Sequence, residues 1–318
     1  MTPVSVVTGF LGSGKTTLIG RLLRDPRYAR TAVIVNEFGE IGLDHELIAT
    51  GDETLLRLTT GCLCCAVRSD LIATLLDLHR RRAAGEISFS RVLIETSGLA
   101  DPAPILHALM TDAAVTESFA IGAVVSLVDT LLGERTFARH PEARRQVALA
   151  DRIVLTKTDL APAQPTLRAA IAALNAAAAV DEGAPDPAAL FAGGLRLPPA
   201  DVIARHGGGV DTAVVVRTAP VPGAALALWL QALAEHCGER LLRLKGLVAL
   251  AEAPERPAVI HGVQHVFSPL DWLERWPSED HTSRVVLIGQ GIPRYFPARL
   301  LDAIMAEVLD ETAGRRSA

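Results

Sequence analysis

Residues 9–16 read GFLGSGKT, set between the apolar run VSVV (residues 4–7) and the helix-like run TLIGRLL (residues 17–23). Gly9, Gly14, Lys15 and Thr16 match the phosphate-binding pattern G-x-x-x-x-G-K-[ST], in the strand, loop, helix setting that pattern requires. The small residues Gly9, Gly12, Ser13 and Gly14 let backbone N–H groups close round phosphates, and the helix opening at Lys15, Thr16 and Thr17 adds its positive dipole end. Lys15 reaches the terminal phosphates and Thr16 holds Mg²⁺ in such a loop. A glycine-rich turn with a solvated lysine is the plain alternative, and the flanking strand and helix speak against it.

Outward from this loop, apolar runs alternate with helix-like segments: TAVIV (31–35), TLLRL (54–58), RVLIE (91–95), AIGAVVSLV (120–128) and DRIVLT (151–156). That rhythm predicts an α/β fold, a P-loop NTPase domain with a mainly parallel sheet and helices on both faces, over residues 1–195. A Pro/Gly-rich stretch predicts a linker at 196–211. Beyond it TAVVVRT, AALALWLQALAEHCG, RLLRLKGLVAL, PAVIHGVQHVFS, SRVVLIG and ARLLDAIMAEVL read as strand, helix, two strands, strand and helix, a smaller α+β domain over 212–318. AAIAALNAAAAV (169–180) reads as an Ala-rich helix.

Two later strand ends carry chemistry. In RVLIETSG an apolar strand delivers Glu95 to its carboxyl end, where ligands of open α/β sheets bind, and Gly98 comes three residues later. Glu95 is placed to reach the magnesium shell or a bound water, and the Gly98 N–H to contact a γ-phosphate, as switch loops do. In VLTKTD, Asp159 can accept both edge N–H groups of guanine while the stem of Lys157 packs on the base. GTPases usually carry N-K-x-D here; this chain has Thr156 in place of the Asn, and a hydroxyl lacks the donor-plus-acceptor geometry of a carboxamide. A solvated carboxylate and a polar turn are the bland readings of these two segments.

TTGCLCC (59–65) places Cys62, Cys64 and Cys65 within four positions of a chain whose fourth cysteine is Cys237. Three thiolates can hold one Zn²⁺, but a closed structural site takes four ligands from two separated pairs, and the second pair is missing. Three sulfurs with a carboxylate or water leave a site open to exchange; a regulatory disulfide and inert buried thiols are the competing readings. Cys237, after a helix-like run, reads as packed, and Phe10 and Phe38 as loop anchors. Arg80, Arg81 and Arg82 before Gly85 read as the cationic last turn of a helix. His261 and His265 fall on one face of a strand-like segment, roughly 13 Å apart and too far to share an ion.

TGFLGSGKTT, NEFGE, GCLCC, ETSGLADP, TKTD, LKGLV and GVQHVFSP together resemble the CobW family of P-loop metallochaperone GTPases, in particular its YjiA-like branch. The resemblance runs over nearly the whole chain. It implies GTP hydrolysis to GDP and phosphate, and delivery of zinc or cobalt to a client metalloprotein by a monomer or nucleotide-dependent homo-oligomer. It also implies metal binding at Cys62, Cys64 and Cys65 with Glu37 and Glu40 nearby. A regulatory or assembly GTPase with a structural zinc is the other function these motifs allow. Many relatives carry a His-rich loop; the nine histidines here are scattered.

With 49% hydrophobic and 21% charged residues and a net charge of -5, the chain has a globular composition and no broad basic surface for nucleic acid. The N-terminus MTPVSVVTGF lacks a basic, long apolar leader, and no run is long enough to span a bilayer, so a cytoplasmic protein without membrane partners is expected.

Overall fold

The computed structural model describes residues 1–36, 55–57, 64–191 and 210–316. It divides into two compact units, Met1–Ala169 with Ala178–Gly194, and Ala170–Ala177 with Leu195–Ala318. The expected domain boundary at 195 and most of the linker 196–211 lie outside the described residues, as do Glu37, Phe38, Glu40 and Cys62.

In the first unit, β1 (Thr2–Gly9), β2 (Thr31–Asn36), β3 (Leu55–Arg57), β4 (Arg91–Thr96), β5 (Phe119–Asp129), β6 (Arg152–Thr156) and β7 (Ala179–Glu182) form one sheet. Its order is β3-β2-β4-β1-β5-β6-β7, and every pairing is parallel. From Val92 to Thr96 β4 is buried without alternation, the burial pattern of a strand covered on both faces. On one face α1 (Lys15–Leu23) sets Leu18, Ile19 and Leu22 against Val7, Val33, Leu93 and Val125. Elsewhere α3 (Ala103–Thr111) and α6 (Pro141–Leu149) pack on β5, and α2 (Cys64–Ala83) packs on α3. Cys64 and Cys65 are the first residues of α2.

The chain order reverses at β1: it moves outward through β2 and β3, returns to β4 beside β1, and continues through β5 on the other side. Because all strands point the same way, their carboxyl ends share one edge, and the crevice at this reversal is where such sheets take ligands.

The expectation for Arg80, Arg81 and Arg82 is met by the end of α2. The Glu86 N–H donates to the Arg81 carbonyl at 3.0 Å and the Gly85 N–H to the Arg82 carbonyl at 3.1 Å, the pair of bonds that closes a helix on a left-handed glycine. The Ala-rich stretch is corrected. α7 (Pro165–Leu174) stops at Asn175, whose side-chain oxygen accepts the Ala177 N–H at 3.1 Å, and Ala179–Glu182 is the edge strand β7. Asparagine competes for backbone partners and ends the helix, while pairing with β6 overrides the helix propensity of the alanines beyond it.

The second unit is an antiparallel sheet of β8 (Asp211–Arg217), β9 (Leu241–Leu250), β10 (Ala253–Val263), β11 (Val266–Phe267) and β13 (Ser283–Gly289), ordered β11-β10-β9-β13-β8. The short strand β12 (Asp271–Trp272) pairs with β10. Two helices, α9 (Gly223–Cys237) and α10 (Phe296–Arg316), pack on each other and on the sheet. Trp229 is fully buried among Leu226, Leu233, Leu244 and Val248, and its indole N–H donates to the Pro297 carbonyl at 2.9 Å. Cys237 is packed in the same core as expected, and burial pushes its thiol pKa up. His261 and His265 do not share a strand face: β10 ends at Val263, Gln264 takes φ 54°, and His265 sits in the turn to β11.

Replacing Trp229 with Ala removes the largest buried side chain of this core and leaves a carbonyl without its donor. A loss of about 3–5 kcal/mol is expected. All three tryptophans lie in this unit. Urea unfolding followed by the fluorescence of Trp272 and Trp276 therefore reads the effect, and an unchanged midpoint would refute this account of the core.

Candidate functional site

The phosphate-loop residues stand at the carboxyl end of β1, where three glycines make the bend. Gly9, Gly12 and Gly14 have φ of 143°, 70° and 93°, the left-handed side that side-chain-bearing residues avoid. At Gly9 even a methyl group is excluded, since a Cβ would stand 2.6 Å from the Leu127 carbonyl oxygen. The Ser13 N–H closes the turn on the Phe10 carbonyl at 3.1 Å, and α1 starts at Lys15 with Gly14 as its cap. The Phe10 ring lies 4.4 Å from that of His140, which makes it the loop anchor the sequence suggests.

The ammonium of Lys15 folds back onto the carbonyls of Gly9 and Phe10, at 2.9 and 3.3 Å. It thus sits at the mouth of the loop. Thr16 donates its hydroxyl to Glu95 Oε1 at 2.8 Å, and the Glu95 side chain is buried. The register explains the meeting: β1 and β4 are adjacent, Val7 pairs with Glu95, and the buried Thr8 and Thr96 hydroxyls join at 2.8 Å one residue on. A hydroxyl and a carboxylate at the end of a phosphate loop form an all-oxygen donor set, the kind Mg²⁺ takes.

Gly98 lies against the same loop. A Cβ there would come within 2.6 Å of the Leu11 side chain and 2.7 Å of its backbone nitrogen, so only glycine permits this approach. The loop is held from α6, where the Gln146 side-chain amide donates to the carbonyls of Gly98 and Ala100 at 3.1 and 3.0 Å. Asp101 completes the anchorage by accepting the Ala103 N–H at 2.9 Å and an Arg145 guanidinium N–H at 2.8 Å.

The TKTD loop joins from β6. Thr156, standing where GTPases usually have Asn, donates its hydroxyl to the Ser13 carbonyl at 2.9 Å and so ties this loop to the phosphate loop. Lys157 takes φ 58° and its ammonium lies 2.5 Å from Asp129 Oδ2 at the end of β5. The Thr130 hydroxyl lies within 2.9–3.1 Å of the Thr156, Lys157 and Ala161 carbonyls, donating to one at a time. Asp159 is exposed at the turn beyond them. Its carboxylate makes no hydrogen bond or ion pair among the described residues and is open to a ligand edge.

Lys15, Thr16, Glu95, Gly98, Lys157 and Asp159 therefore share one edge of the sheet. Asp129, Thr130 and Gln146 were not singled out from sequence. The signal available for the first two was position, since Asp129 and Thr130 end a long apolar strand as Glu95 does. Gln146 lies mid-helix in a segment without a motif. Of the expected metal residues, Cys62, Glu37 and Glu40 lie outside the described residues.

The family description "CobW/HypB/UreG, nucleotide-binding domain" matches residues 3–181, and "Cobalamin synthesis protein cobW C-terminal domain" matches 210–305. The chain belongs to the CobW family. It is 34% identical over 307 residues to the zinc chaperone YjiA of Escherichia coli, covering 92% of this chain and 96% of that protein. It is 31% identical over 189 residues to the zinc-regulated GTPase metalloprotein activator 1 of Schizosaccharomyces pombe, covering 57% of this chain and 45% of the relative. Among solved structures, the Zn(II)-bound YjiA GTPase from E. coli superposes with a TM-score of 0.72 at 27% identity, over 95% of this chain and 98% of that one. No helix among the described residues is long and apolar enough to cross a membrane.

Lys15→Ala removes a charge and the ammonium's bonds to the Gly9 and Phe10 carbonyls, and takes no apolar side chain from the core. The variant is expected to keep the wild-type fold by circular dichroism and to lose nucleotide affinity by at least about 100-fold in calorimetric titration, as befits a charge-assisted contact with phosphate. Wild-type affinity in the folded variant would refute the assignment of this loop.

Proposed function

We propose that the protein is a GTP-hydrolysing metallochaperone that carries a transition metal, zinc or cobalt, at Cys62, Cys64 and Cys65 and passes it to a client metalloprotein. The observation that carries this reading is the convergence of the phosphate loop, the Glu95–Gly98 segment and the TKTD loop on one sheet edge. Its similarity to YjiA over 92% of its length supports the zinc assignment. Residues 1–195 are the nucleotide-binding part, 196–211 the linker and 212–318 the CobW-type C-terminal domain.

In this reading the backbone N–H groups of residues 9–17 hold the phosphates of GTP, and Lys15 leaves the Gly9 and Phe10 carbonyls for the terminal phosphates. Thr16 and Glu95 are the residues that would hold Mg²⁺, which neutralises phosphate charge when bound. The Gly98 N–H faces the γ-phosphate. Asp159 accepts the guanine edge and the Lys157 stem lies along the base, its ammonium steadied by Asp129. Thr156 replaces the Asn of N-K-x-D as the tether to the phosphate loop, which preserves the loop's position although one base contact is lost. The products are GDP and phosphate.

The two strands that flank the proposed metal residues in the sequence, β2 and β3, end at this edge, which supports the reading. Val35 pairs with Glu95 and Asn36 with Thr96, so the chain that continues into Glu37 and Glu40 leaves β2 beside the γ-phosphate end of the site. Arg57 pairs with Val35, so the chain that leads to Cys62 leaves β3 at the same edge. Three thiolates and a carboxylate form a donor set suited to zinc and open to exchange.

Metal and nucleotide affinities are therefore coupled. Reciprocal coupling is typically about 1–3 kcal/mol, so a non-hydrolysable GTP analogue is expected to tighten zinc binding by roughly 5- to 150-fold relative to GDP. Competition against a chromogenic zinc chelator measures both states, and Cys64→Ala/Cys65→Ala is expected to abolish binding in either. Equal zinc affinities with the two nucleotides would contradict the chaperone cycle, and unchanged binding in the double variant would contradict the site.

A further inference from the structure

The proposed metal site has three thiols and lacks the second pair of ligands that a closed zinc site takes. The helix that carries two of them, α2, packs on α3, and contacts further along fix how the two are aligned. The Arg68 guanidinium donates to the Thr111 hydroxyl at 2.9 Å, and the His79 ring lies 6.3 Å from that of Phe119 at the start of β5. Partners therefore advance in step, from 68 and 111 to 79 and 119, so the two stretches run in the same direction. The topology requires as much. α2 crosses from β3 to β4 and α3 lies between β4 and β5, and helices that return between parallel strands all point the same way.

One turn back from the Arg68–Thr111 contact, the same alignment sets Cys64 level with His107. Each stands four residues before its counterpart, about 6 Å along its own helix. Residues four apart share a helix face, so half-buried His107 lies on the side of α3 that Thr111 turns to α2, and Cys64 on the side of α2 that carries Arg68. The Thr111 hydroxyl also donates to the His107 carbonyl at 2.8 Å, which confirms that the turn between them is helical. Packed helix axes stand about 8–10 Å apart, a gap that a thiolate and an imidazole meeting on one ion can span.

We propose that His107 is a further ligand of the metal carried by the cysteines, its imidazole supplying the nitrogen of a mixed sulfur and nitrogen zinc site. This rests on the reading of Cys64 and Cys65 as metal ligands. It also puts the metal on the helix into which the Gly98 loop runs, since Asp101 of that loop accepts the Ala103 N–H that opens α3. The backbone between Gly98 and His107 is then a direct route by which a bound γ-phosphate alters the coordination of the metal.

The test is zinc K-edge X-ray absorption, with competition against a chromogenic chelator, on the full-length protein loaded with one equivalent of zinc. Wild type, His107→Ala and His107→Gln are compared, the glutamine keeping a polar side chain of similar length so that a folded variant is in hand, as circular dichroism checks. The wild type is expected to show the outer-shell scattering of a bound imidazole, and both variants to lose it while keeping sulfur at about 2.3 Å. Zinc affinity is expected to fall by at least about tenfold in each, since even the groups that support a ligand are worth 10- to 100-fold. An imidazole signature absent from the wild type or persisting in a folded variant would overturn the proposal, as would zinc affinity that neither variant changes. Failure of the cysteine reading is visible separately, because zinc bound without sulfur would overturn both.

Discussion

A 2.8 Å hydrogen bond from Thr16 to Glu95 joins residues 79 positions apart and sets the geometry of everything around it. It exists because β1 and β4 are neighbours in parallel register and both end at the same edge. Around it the glycines matter for what they leave out. Gly9 allows the phosphate loop to lie on β5, and Gly98 allows the next loop to lie on Leu11. A side chain at Gly9 would push the phosphate loop off β5, and one at Gly98 would push its loop away from Leu11.

A second clasp works beside the first. Thr156 reaches the Ser13 carbonyl, and Thr130 and Asp129 pin the turn behind it. The substitution of Thr for Asn thus has two consequences that the sequence alone does not separate. In the proposed guanine site one base contact is given up, while the Thr156 hydroxyl keeps the link to the Ser13 carbonyl. The Gln146 amide provides the third restraint by holding the Gly98 and Ala100 carbonyls, so that strands β1, β4 and β6 and helix α6 fix one constellation.

Much of this was legible in the sequence because parallel sheets translate strand ends into neighbours. Lys15, Thr16, Glu95, Gly98, Lys157 and Asp159 each stand after or at the end of an apolar run, and the fold rule that ligands meet carboxyl strand ends brings them together. The features that escaped were of a different kind. Gln146 acts through backbone carbonyls, which no side-chain pattern announces. The strand β7 hides in an alanine-rich run because pairing with β6, and not intrinsic propensity, decides its state. His261 and His265 were parted by a turn at Gln264 whose left-handed backbone a strand-like reading overlooks.

In the proposed function these loops form one site for a guanine nucleotide, and Asp159 is an exposed member of it. Its carboxylate makes no hydrogen bond or ion pair among the described residues, so its removal is expected to leave the phosphate loop undisturbed. Calorimetric titration of wild type and Asp159→Ala with GTP and with ATP measures this directly. The variant is expected to lose roughly 100-fold or more in GTP affinity while ATP changes little, because a lost hydrogen-bond acceptor penalises only the base that used it. Equal losses for both nucleotides, or no loss for GTP, would contradict it.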